Sequence, residues 1–167
     1  TALLANHEDL EAKLNAFEPE VLVVYDDGFN YLTKMCLTNM REAAFEMGKL
    51  ARSRGITTVV CSSDSTDHYE KYLQNGFDYV ALGEGELTLP ELLQNKRDDK
   101  PVDDLLGIAF GEGHVNAKRP VLRELDTLPQ PAWDLIDVES YRRICDSGRH
   151  GFTLNLATTR GCPFKFN

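Results

Sequence analysis

The sequence predicts an α/β protein built on a doubly wound parallel sheet. Three observations lead there. Short apolar runs, "VLVVY" at 21–25, "TTVVC" at 57–61 and "YVAL" at 79–82, lack the polar alternation of a half-exposed strand and read as strands buried on both faces. Stretches with helical spacing of apolar residues separate them. Each run then opens into a loop rich in Gly, Ser or Asp. Strand–helix alternation of this kind packs as a parallel sheet covered by helices.

The elements follow in order. In "HEDLEAKLNAF" (7–17), Leu10, Leu14 and Phe17 share one helical face, and Pro19 ends the helix. The first strand, 21–25, follows. Residues 31–54 form a long helical pattern with Leu32, Cys36, Ala43, Met47 and Leu50 on one stripe, a basic last turn, and Gly55 placed to close it. After the second strand, "DHYEKYLQNG" predicts a short helix closed by Gly76. The third strand runs into a glycine turn. Thr88 and Glu91 have capping-box spacing, with Pro90 in the first turn of a helix that runs to about Lys96. "LLGIAFGEGHVNA" reads as strand, turn and strand, and "LDTLPQPAWDLIDVESYRR" as a proline-bounded linker ending in a short helix. "GFTLNLATTRGC" reads as a last strand feeding a loop.

Composition narrows the function classes. The 167 residues are 42% hydrophobic and 27% charged, enough for one α/β domain and an appendage. The net charge of −9 argues against a nucleic-acid surface, which needs a basic footprint. No apolar run approaches the ~18 residues of a membrane span. The first residues turn acidic too soon for a signal peptide. The chain does not begin with Met, which suggests a fragment. Of its four cysteines, Cys36, Cys61, Cys145 and Cys162, none forms a C-x-x-C pair, so a closed zinc site is not expected. With nothing pointing to secretion, the thiols are read as reduced, Cys36 and Cys61 as small core residues, and the protein as cytoplasmic.

In open parallel sheets, ligands sit beyond the carboxyl ends of the strands. Three loops are therefore candidates: Asp26–Asn30, Ser62–Thr66 and Gly83–Glu86. Asp26 and Asp27 resemble the acidic pair of phosphoryl-accepting receiver domains, but the third Asp and the Lys of that chemistry are missing. Ser62 and Ser63 could hydrogen-bond a ligand or cap the next helix. Gly83, Glu84 and Gly85 make a lone G-x-G, which lets a ligand approach the backbone or simply turns the chain. It is not the dinucleotide fingerprint, because no third glycine follows.

Four segments together resemble the cobalamin-binding (B12-binding) domain radical S-adenosylmethionine enzymes: "FDYVALGEGELTLPELL", "LLGIAFGEG", "LRELDTLPQPAWDLIDVESYRR" and "LATTRGCPFKFN". The resemblance spans roughly residues 20–167. It implies a flavodoxin-like, Rossmann-like domain over 1–104, a hairpin and linker over 105–150, and the start of a radical barrel over 151–167. It further implies that this α/β domain lacks an amino-terminal strand–helix–strand. Cobalamin would be held by Asp26, Asp27, Gly28, Ser62, Ser63, Gly83, Glu84 and Gly85. Cys162 matches the first thiolate of a C-x-x-x-C-x-x-C loop that binds a [4Fe–4S] cluster and, through it, S-adenosylmethionine. Phe166 stands where the second thiolate belongs, so this chain alone would hold no such cluster and would not cleave S-adenosylmethionine. The implied partner is the radical barrel of the same polypeptide, and the implied chemistry is cobalamin-dependent methyl transfer or related radical chemistry. The competing expectation is a flavodoxin-like structural domain that binds no cobalamin. A free-standing enzyme lacks any nucleophile–base constellation in the sequence.

Overall fold

A computed structural model describes residues 7–25, 37–146 and 152. These fall into two compact units, divided between Val121 and Leu122.

The first unit is an α/β domain of the flavodoxin-like, Rossmann type. Helix α1 (His7–Phe17) leads to strand β1 (Val21–Tyr25), and helix α2 (Leu37–Ser53) to β2 (Thr57–Cys61). Two short helices, α3 (Ser63–Asp67) and α4 (Tyr69–Gln74), precede β3 (Tyr79–Ala81). Helix α5 (Gly85–Arg97) precedes the hairpin β4 (Ile108–Phe110) and β5 (His114–Val115). The sheet order is β1-β2-β3-β4-β5. The first three strands are parallel, with Val24, Val60 and Val80 in one row and Val23, Val59 and Tyr79 in the next. Strand β4 pairs antiparallel with β3, so the hairpin extends the sheet.

Alternate residues of each strand feed opposite faces, which is why the apolar runs lack alternation. On one face Val60, Val80 and Ala109 pack with Ala44 of α2, Tyr72 and Leu73 of α4, and Phe77. On the other, Val59 and Ile108 pack with Leu92 of α5 and Leu105. Truncating Leu92, fully buried, to Ala removes about 3 kcal/mol of this packing.

Several expectations shift in detail. Strand β1 lies at the edge of the described sheet and is only half-buried, with Tyr25 58% exposed. Phe17 is exposed, and of the α1 stripe Leu14 is the residue that reaches the core. Residues 31–36 lie outside the described residues. In the rest of that helix the buried face is Ala44, Gly48 and Ala51, one position round from the apolar stripe. Small residues win there because the neighbouring chain comes so close: a Cβ on Gly48 would stand 2.8 Å from the Phe77 ring, and one on Gly76 would stand 2.5 Å from the Lys49 backbone nitrogen. The helix expected from Asp67 starts earlier, at Ser63, and breaks at His68. Thr88 is not a cap. It is fully buried in the second turn of α5, and Pro90 sits inside that helix. The reason is that α5 starts directly after β3, at Gly85, without an intervening capped loop.

The segment after β5 is stapled back onto this unit. Asn116 Nδ2 donates to the carbonyls of Val102 (2.8 Å) and Leu105 (2.9 Å). Arg119 Nε donates to Thr88 Oγ1 (2.9 Å), and its guanidinium pairs with Glu91. Gly107, at φ +75°, passes beneath Arg119, where a Cβ would stand 3.1 Å from that side chain.

The second unit holds short 3-10 turns at Leu125–Thr127 and Trp133–Leu135, then helix α6 (Val138–Asp146). Asp137 accepts hydrogen bonds from Ser140 N–H and Oγ at the start of α6. The expected barrel strand and Cys162 lie outside the described residues. Among the described residues no helix is long and apolar enough to cross a membrane.

Candidate functional site

Parallel register aligns the carboxyl ends of the three strands. Tyr25 pairs with Cys61, and Cys61 with Ala81. The chain leaving each strand therefore emerges on one rim of the sheet. Of the sequence-derived candidates, Asp26, Asp27 and Gly28 lie outside the described residues. Ser62, Ser63, Gly83, Glu84 and Gly85 are brought together on this rim.

Ser62 serves as a helix cap. Its Oγ accepts from Ser65 N–H (2.9 Å), while Ser65 Oγ accepts from Ser62 N–H (2.9 Å), a reciprocal capping box. Both residues are buried. Ser63, the first residue of α3, is exposed.

The two glycines of the third loop differ. Gly83 has φ +77°, and a Cβ there would meet nothing within 4 Å, so its backbone faces open space. Gly85 is buried against the protein itself. A Cβ on it would stand 2.7 Å from Cys61 Sγ, 3.1 Å from Leu89 and 3.3 Å from Tyr25. The close approach at Gly85 thus seats α5 on the ends of β1 and β2.

Two residues that the sequence did not single out, Arg41 and Tyr72, join Asp64 of the Ser62–Thr66 loop to organise the rim. Asp64, 8% exposed, accepts from Arg41 Nε (2.7 Å), from Arg41 Nη2, and from Tyr72 Oη (2.8 Å); His68 Nε2 lies 4.0 Å away. Hydrogen bonding from Arg41 holds the Asp64 carboxyl below its usual range, with Tyr72 and His68 adding to it against the opposing effect of burial. Burial of its ring, then the hydrogen bond to the same carboxylate, pushes the Tyr72 phenol up. Arg41 and Tyr72 stand 23 and 8 residues from Asp64, so no local pattern marks the cluster.

Cys61 closes β2. Burial, then the charge of Glu86, pushes its thiol up to about 11, so it stays protonated and poorly nucleophilic at neutral pH. Asp64 is saturated with donors and is a poor base. Cys61 and Asp64 therefore do not form a nucleophile–base pair. Among the described residues no group of three His, Cys, Asp or Glu side chains could hold a metal ion, and Cys162 lies outside them.

No family model matches the chain. An uncharacterised methyltransferase of Pyrococcus horikoshii is 34% identical to it over 90 residues. That alignment covers 52% of this chain and 18% of the relative, so the chain spans under a fifth of the protein it matches. Over about half its length, this α/β chain is similar to part of a methyltransferase.

Proposed function

We propose that this chain is the cobalamin-binding module of a radical S-adenosylmethionine enzyme that transfers methyl groups. The similarity to a methyltransferase is the observation that carries the methyl-transfer half of this reading. The α/β sheet, with its strand ends aligned on one rim, supports the cofactor half. A bound cobalamin supplies a cobalt that passes a methyl group from donor to acceptor.

The residues present fit such a ligand in part. Gly83 offers an open backbone on the rim, Ser63 an exposed hydroxyl, and Tyr25 an exposed aromatic face. These would contact the ligand. Gly85 would act behind them, by letting α5 close against Cys61. The iron–sulfur cluster and S-adenosylmethionine belong to the barrel of the complete enzyme, and no step here depends on them.

One observation favours the second reading, a structural domain that binds no cobalamin. The hydroxyls of Ser62, Ser65 and Thr66 are all engaged within the protein. Titration of the chain with hydroxocobalamin separates the two. The proposal expects saturable binding that Ser63→Trp and Gly83→Ala each weaken, with the far-UV spectrum unchanged. Both positions are exposed, so neither change reaches the core; alanine at 83 acts by straining the bend, which sits at φ +77°. Absence of binding by the folded wild-type chain would sink the proposal in favour of the structural domain.

A further inference from the structure

The open bend at Gly83 is not held by its own loop. Thr66 Oγ1 accepts a hydrogen bond from Gly83 N–H (2.9 Å) and donates one to the Ser62 carbonyl (2.9 Å). A hydroxyl has one proton and two lone pairs, so it can do both at once. On the other side, Leu82 N–H donates to the Gly107 carbonyl (2.8 Å). Thr66 thus ties the loop after β3 to the capped turn after β2. The Asp64–Arg41–Tyr72 cluster and the Ser62–Ser65 capping box hold that turn in place.

Gly83 needs this help. At φ +77° nothing lies within 4 Å of its Cβ position, and besides the Thr66 hydroxyl the contact on its own backbone is a long one, from Cys61 Sγ to its carbonyl at 3.9 Å. Glycine visits both signs of φ about equally, so an untethered Gly83 would sample several bends. The tether works through a backbone amide, so any side chain at 66 lacking an acceptor loses it.

We propose that Thr66 is the positioning residue of the candidate site: through the Gly83 amide it fixes the bend that faces the ligand and couples the two strand-end loops into one rigid surface. The ligand-facing half of this inference rests on the cobalamin reading; the coupling of the loops does not.

The pair Thr66→Val and Thr66→Ser tests it in the full chain. Valine keeps the shape and removes the hydroxyl, whereas serine keeps the hydroxyl. Amide exchange of Gly83, read by NMR, should speed up about tenfold in Thr66→Val and stay near wild type in Thr66→Ser. Hydroxocobalamin affinity should fall by a similar factor, about tenfold, in the valine variant only. Unchanged Gly83 exchange in a folded Thr66→Val protein overturns the tether. Faster exchange with unaltered affinity overturns its role in positioning. If the wild-type chain binds no hydroxocobalamin, the cobalamin reading and the ligand-facing half fall together, and Gly83 exchange still decides the coupling.

Discussion

Asp64 is the residue on which the rim depends most. It is nearly buried, and it bridges α2, α3 and α4 through Arg41 and Tyr72. Asp64→Asn leaves the guanidinium facing a neutral amide and should cost about 3 kcal/mol, read by urea unfolding at pH 7. Tyr72→Phe removes one donor and should cost about 1 kcal/mol. The acid dependence has a definite sign. A carboxyl with a depressed folded value contributes stability above its unfolded value, near 3.9, and loses it as pH falls through the lower folded value. The gap between wild type and Asp64→Asn should therefore shrink below about pH 4. An equal gap at pH 3 and pH 7 would show that the charge is not what stabilises. Gly85 is the other sensitive residue. Gly85→Ala drives a Cβ to 2.7 Å from Cys61 Sγ and should cost about 2 kcal/mol, part of which Cys61→Ala should return. If the double variant merely sums two losses, the contact is not the cause.

At the scale of elements, the sequence showed which of the described segments of the sheet are strands, and why is visible in "TTVVC" and "YVAL". Uninterrupted apolar runs need cover on both faces, and β2 and β3 have it. It failed where an element is decided by a distant approach. The apolar stripe of α2 runs through Ala43, Met47 and Leu50, two of them large. The true face holds Ala44 and Gly48, because Phe77 and the Gly76 backbone press against it. Periodicity measures which residues are apolar, not which neighbour leaves room. The Ser62–Thr66 run was legible as polar but ambiguous, since the same hydroxyls that could meet a ligand also cap a helix. Two substitutions probe this scale. Gly76→Ala, at φ +102° and 2.5 Å from a backbone atom with no freedom to move, should cost more than about 3 kcal/mol or prevent folding. Pro90→Ala should do the opposite. Pro90 has no N–H for the helix ladder of α5 and is exposed, so alanine should raise stability by about 1 kcal/mol. A loss of stability in Pro90→Ala would mean that the ring packs productively.

At the scale of the molecule, both core clusters are built from residues before Gly111, and the Asn116 and Arg119 contacts fasten the chain that follows the hairpin back onto α5 and the loop before β4. Arg119 is the stronger fastening, because Thr88 is fully buried and its hydroxyl takes a charged donor. Among the described residues, neither cluster draws on any after Val121, where the second unit begins. The α/β unit should therefore fold without it. A chain ending at Val121 should keep a single cooperative transition, with its midpoint moved by less than about 5 °C, the shift expected for roughly 1 kcal/mol in a domain of this size. Arg119→Ala in that shortened chain should cost about 2 kcal/mol, because it leaves a buried hydroxyl without its donor. A broad, non-cooperative melt of residues 1–121 would mean that the sheet needs more than its own two faces to close, and that the hairpin is an interface rather than an edge.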